Sequence, residues 1–228
     1  MSLDWRAILP DEKSKVFSSF LQTLEANYTM LSVTLNEAID LRRAGRLANA
    51  SQAVCVTPAL CLRLTEPLAA LLHILGQYAK HYGIIPNAAP LDAENFHCSK
   101  DQRAARMSDL LSRVLLSQRS QFLHKVGTLE EIVEDAGKEF CLAAEELAEG
   151  TATDPERQWA AMDAGHFDLN TCLREACVLL KSFLLALPDS QVESFEQAVR
   201  AQTRSQSPQR SPQRSFIRDG RIPAITGQ

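Results

Sequence analysis

An unbroken heptad seam runs through the stretch from Pro155 to Leu187. Its members are Trp159, Met162, His166, Leu169, Leu173, Ala176, Leu180, Phe183 and Leu187, in alternating steps of three and four. That spacing lays every one of these side chains along one stripe of an α-helix. A stripe this long has to be covered by other helices, so the seam sets the class of fold before composition is considered.

The rest of the chain supplies the cover. Residues 11–44 carry a second seam, Phe17, Leu21, Leu24, Tyr28, Leu31, Leu35 and Ala38. Arg42 and Arg43 complement the negative end of that helix, and Gly45 suits the left-handed residue that closes it. A turn so short sends the next helix straight back. Residues 47–83 continue with Ala50, Val54, Thr57, Cys61, Leu64, Leu68, Leu71, Leu75, Tyr78 and Tyr82. Pro58 and Pro67 fall inside this stretch, and an interior proline costs about 3 kcal/mol through a lost hydrogen bond and a clash. Because the seam keeps its phase across both, the expectation is a kinked rod or a short helix followed by a longer one. Thr57 and Thr65 are the candidate caps at those breaks.

Residues 84–98 read as a loop, rich in breakers such as Pro86, Asn87 and Pro90. Ser99 and Gln102 have capping-box spacing, which opens a third long helix ending at Gly150. Its late seam is Val126, Leu129, Val133, Ala136, Phe140, Ala143 and Leu147. Consecutive steps of four through Gln118, Phe122 and Val126 form a stutter, which predicts a bend near residues 118–127. Asp154 and Pro155 start the helix that carries the longest seam. Gly165 interrupts its pattern, and Asp168 offers a second start. Pro188 ends it, and a short fifth helix follows with Val192, Phe195 and Val199 on its apolar side.

The expected fold is therefore all-α: an antiparallel four-helix bundle of long helices with heptad-type seams, a short fifth helix and a disordered C-terminal tail. Helices of about 33 residues make a rod near ~50 Å long at 1.5 Å per residue. The expected domains are a bundle over 1–202 and a tail over 203–228.

Charge divides along the same boundary. The tail holds Arg204, Arg210, Arg214, Arg218 and Arg221 against Asp219, which leaves −8 on the body from a total of −4. A tandem Ser-Pro-Gln-Arg repeat gives this tail little to bury. Arg210, Arg214, Phe216, Arg218 and Arg221 are its candidate partner-binding residues. They suit non-specific phosphate contact, including nucleic acid, or a return onto the acidic body. With no lysine and only Phe216 to stack on a base, the tail is not built for specific recognition.

Three further readings bear on function. The start, Met1-Ser2-Leu3-Asp4, lacks the apolar core of an export signal, and the most apolar pieces, 68–75 and 178–187, are short of a membrane span. A cytoplasmic protein without a membrane span is expected. The six cysteines form no CxxC pair and read as buried reduced thiols. No glycine-rich phosphate loop, GxSxG or HExxH occurs.

The candidate metal ligands are Asp163, His166, His73 and His81. Asp163 precedes His166 by three residues, the carboxylate-x-x-His spacing of helical di-metal sites. The match is weak, because the first two helical seams hold no glutamate in register. His73, Gln77 and His81 recur every four residues and read as a polar ridge. The sequence therefore points to a non-enzymatic interaction protein without a cofactor: an adaptor, scaffold or chaperone-like bundle. It would have a protein partner and a possible homodimer, and would work through the outer faces of the first and third long helices. A metal- or ligand-binding bundle, or a nucleic-acid-associated protein acting through its tail, is the alternative.

Overall fold

The computed structural model describes residues 11–83 and 118–206, and among these the secondary structure is entirely helical. In chain order the elements are α1 (Asp11–Arg43), α2 (Leu47–Val54), α3 (Thr57–His81), α4 (Gln118–Glu149), α5 (Pro155–Ala186) and α6 (Asp189–Gln206). The expected loop over 84–98, the expected start of the third long helix at Ser99 and the arginines from Arg210 onward lie outside the described residues. The α6 helix reaches Gln206, four residues past the expected bundle boundary.

Neighbouring long helices run antiparallel. Along α3 and α4, Cys141 meets Pro58, Gly137 meets Cys61 and Glu130 meets His73. Along α4 and α5, Gln158 meets Glu146 and Lys125 meets Glu175. Between α1 and α5, Lys13 meets Leu184 and Arg42 meets Glu156. The described part of the bundle is therefore an up-down-up-down ring of α1, α2–α3, α4 and α5, with α6 laid beside α1 and α3.

The seams form the core. Every member of the α4 late seam is buried, and so is every member of the α5 seam except His166. In α1 only Tyr28 of the seam is partly exposed, while in α3 burial fades at Tyr78 and Tyr82. One end of the bundle is tied by aromatic rings. Phe195 of α6 stands 5.3 Å from Phe17, 5.1 Å from Tyr78 and 4.9 Å from Phe183. A single side chain thereby fastens the sixth helix to three others.

Helix ends follow local chemistry. Gly45 takes φ 73°, and the Arg46 and Gly45 amides donate to Leu41 and Arg42 carbonyls at 2.9 Å each, a Schellman closure. At the start of α5 the Arg157 amide donates to Asp154 Oδ1 at 3.2 Å. The helix then passes through Gly165 without a break, so the alternative start at Asp168 is not used.

The two prolines resolve the seam of residues 47–83 differently. Pro58 produces the break: α2 ends at Val54 and α3 begins at Thr57. Thr57 does not cap the new start, as no side-chain cap bond forms there. Its hydroxyl instead donates at 2.8 Å to the Val54 carbonyl, the acceptor that Pro58 has no N–H to serve. Pro67 lies inside a continuous α3, and Thr65 starts nothing. The carbonyl Pro67 leaves unserved is that of Arg63, and Asn27 Nδ2 of α1 donates to it at 2.9 Å. A backbone defect in one helix has become a hydrogen-bond site for another.

By length and composition alone the Leu47–His81 segment is apolar enough to cross a membrane, which corrects the expectation that no segment is. In the bundle 56% of its most apolar window is buried, so its hydrophobicity serves the core.

The Asn27 bond predicts non-additive mutations. Asn27→Ala should cost about 0.5–1.5 kcal/mol in denaturant unfolding. The same change should cost clearly less in a Pro67→Ala background, where residue 67 supplies its own N–H. Equal losses in both backgrounds would remove this role for Asn27.

Candidate functional site

The sequence-based metal candidates are not gathered into one site. His166 Nε2 lies 2.6 Å from Ser32 Oγ of α1, and its ring stacks on Tyr28 at 5.1 Å and 8°. Asp163, one turn away, is exposed. His73 Nδ1 lies 3.0 Å from Glu130 Oε1, and the Gln77 amide donates to its Nε2 at 2.7 Å. Those two partners fit a neutral ring that carries its proton on Nδ1. His81 packs edge-on against Tyr82 at 4.7 Å. Among the described residues no group of three or more His, Cys, Asp or Glu side chains is arranged to hold a metal ion.

His166 and His73 act as ties between helices. The α1–α5 seam shows why one is needed, because these two helices bring their backbones together less than the other neighbours in the ring. Side chains bridge the gap at three levels. At one end Lys13 Nζ donates to the Leu184 and Leu187 carbonyls at 2.9 and 2.6 Å, where α5 terminates, and pairs with Asp189 at 2.9 Å. His166, Ser32 and Tyr28 hold the middle. At the other end Arg42 pairs with Glu156 and lies 5.3 Å over the Trp159 ring.

A surface groove with room for a ligand lies elsewhere, between α3 and α4. Its volume is about 540 Å³. From α3 come Leu62, Thr65, Glu66 and Ala69; from α4 come Val133, Glu134, Gly137, Lys138, Cys141, Leu142 and Glu145. Steps of three and four place each set on one helix face. Leu62 and Leu142, one on each bank, are 46% and 59% exposed. Three carboxylates and one ammonium edge the groove, so its rim is acidic. Burial raises the Glu66 pKa above its ordinary value.

The floor is shaped by packing. A Cβ on Gly137 would stand 3.0 Å from Thr65 Cγ2, so α3 and α4 touch closely at this level. The helices meet below, and Leu62 and Leu142 are left above the contact. Sequence reading assigned Cys61 to the core seam, and it is buried; Cys141 is only half-buried and opens into the groove. Leu62 and Leu142 carry a signal, since both are large apolar residues off the heptad seam. What the sequence withholds is the register that sets them opposite one another.

No family model, curated protein or solved structure matches this chain.

The His166 contact predicts a pH dependence. Burial lowers its pKa below the ordinary value, with the Asp163 charge opposing. Folding thus favours the neutral ring, and that contribution is present above about pH 6.5 and lost as pH falls through the folded value. Thermal melts from pH 8 to pH 5 should show a steeper loss of stability for the native protein than for His166→Gln. Parallel curves would contradict the assignment.

Proposed function

We propose that this protein is a non-enzymatic helical interaction protein, an adaptor or chaperone-like bundle, and that the α3/α4 groove receives an amphipathic helix of a protein partner. The observation that carries this reading is the pair of exposed leucines, Leu62 and Leu142, on opposite banks of a groove with apolar residues in its floor. Isolated exposed apolar residues need no explanation, but two flanking one groove form a patch. From Leu62 to Ala69 the groove spans about two helical turns, which suits a ligand helix presenting i, i+3/i+4 and i+7 anchors. Its rim of Glu66, Glu134 and Glu145 against Lys138 favours a partner helix with basic flanking residues.

The same reading keeps the protein in the cytoplasm, where thiols stay reduced. It moves the working surface from the outer faces of the first and third long helices to the channel between α3 and α4. The tail beyond Gln206 is basic, so this chain's own arginines are the natural competitor for the acidic rim.

Capture from the source cell tests the proposal with four baits: full-length protein, a 1–206 truncation, a Leu62→Glu/Leu142→Glu variant and a Leu185→Glu control. Leu185 is 60% exposed and lies outside the groove. One protein should be held by the full-length, truncated and control baits and lost by the groove variant. A partner that survives the groove variant overturns the proposal. Retention that needs the tail and falls with salt points instead to phosphate binding by the arginines.

A further inference from the structure

Two thiols meet beneath the α3/α4 groove. Cys61 of α3 is buried, and its S–H reaches the Gly137 carbonyl at 3.9 Å. Cys141 of α4 lines the groove, and its S–H reaches the Pro58 carbonyl at 3.8 Å. The contacts are reciprocal, because Pro58 lies one turn before Cys61 and Gly137 one turn before Cys141. Each sulfur points at the turn that precedes the other, which sets the two side by side between antiparallel helices. At the next level Gly137 brings α4 hard against Thr65. Thr65 follows Cys61 by four residues and Gly137 precedes Cys141 by four, so this close approach lies one turn from the two thiols.

The two thiols are not equivalent. Side-chain hydrogen bonding with Cys61 lowers the Cys141 pKa, against burial and the Glu145 charge, which both raise it. Cys61 moves the other way, raised by the same bond and by its burial. The charged side chains lining the groove beside Cys141 are Glu66 from α3 and Glu134, Lys138 and Glu145 from α4. Exposure and proton distribution both mark Cys141 as the attacking sulfur. Cys177 on α5 differs, with burial alone raising its pKa and with no place in the lining of the α3/α4 groove.

We infer that Cys141 and Cys61 form a hydroperoxide-reactive dithiol, with Cys141 the attacking sulfur and Cys61 the resolving one. In the first step the Cys141 thiolate attacks one peroxide oxygen. The S–O bond forms, the O–O bond breaks, and the other oxygen leaves as water or an alcohol after taking a proton. Cys141 is then a sulfenic acid. In the second step the Cys61 sulfur attacks Cys141, and the S–O bond breaks. The departing hydroxide takes the Cys61 proton and leaves as water. Two thiols lose two electrons in all, and one hydroperoxide is reduced. The product is a covalent link between α3 and α4 under Leu62 and Leu142. This chemistry needs no partner, so it stands apart from the binding proposal.

The test uses full-length protein and hydrogen peroxide at stoichiometric amount, followed by acid quench, alkylation and non-reducing peptide mapping. The expected main product is a Cys61–Cys141 linked peptide that dithiothreitol reverses. Cys61→Ala should stop the reaction at a Cys141 sulfenic acid that dimedone traps. In native protein the pH profile of Cys141 alkylation should have its midpoint below the ~8.5 of a free thiol. Cys61→Ala should move that midpoint up, a change that a purely structural role would not cause. Oxidation confined to exposed Cys55, or a Cys141 profile unmoved by Cys61→Ala, overturns the inference. Should Cys61→Ala fail to fold, the native linkage map alone decides.

Discussion

The structure depends on one tight waist in α4. At Ala136 and Gly137 this helix is pressed from two sides. On one side a Cβ at Gly165 of α5 would lie 3.2 Å from the Ala136 carbonyl oxygen and 3.3 Å from Phe140 Cβ. On the other side Gly137 faces Thr65 of α3. Glycine is a poor helix former, disfavoured by about 1 kcal/mol against alanine. At Gly137 and Gly165 its use is explained by the approach it permits. Close contact at this level sets the register of α3, α4 and α5, and register decides what lies opposite what. Leu62 is set across from Leu142 and Cys61 across from Cys141 as consequences of that one contact.

Where backbones cannot approach, polar side chains take over. The α1–α5 seam has no glycine waist, and Lys13, His166 and Arg42 span it. Seam positions that break the apolar rule mark this side of the bundle. Tyr28 and His166 are the polar members of their seams, and they stack on each other. The prolines of the 47–83 stretch follow the same logic, since each leaves a carbonyl that a side chain then satisfies. Thr57 does so locally, and Asn27 does so from the neighbouring helix.

The all-α class and the core were legible because heptad spacing is a local property. The seams of α4 and α5 are buried nearly residue for residue as the steps of three and four imply. Gly165 read as a weakness in the helix because its purpose lies in another element, against the Ala136 carbonyl. His166 stands on an apolar seam and reads as a candidate metal ligand, but its partner is Ser32, a residue with no pattern of its own in the sequence. Of the groove, only the off-seam leucines Leu62 and Leu142 were legible. Leu62, Cys141 and Leu142 belong to helices separated by a long connection, and only the packing at Gly137 relates them. The candidate site is thus a product of register, which one strand of sequence does not encode on its own.

The waist is tested most directly by placing a methyl group in it. Urea unfolding of Gly165→Ala and Gly127→Ala makes the comparison, since a Cβ at Gly127 meets nothing within 4 Å. Helix propensity favours both changes equally. The account predicts that Gly127→Ala gains up to about 1 kcal/mol. It predicts that Gly165→Ala loses about 1–3 kcal/mol through overpacking against the α4 backbone. If Gly165→Ala stabilises the protein as much as Gly127→Ala does, the waist does not hold the bundle in register, and the groove built on it loses its foundation.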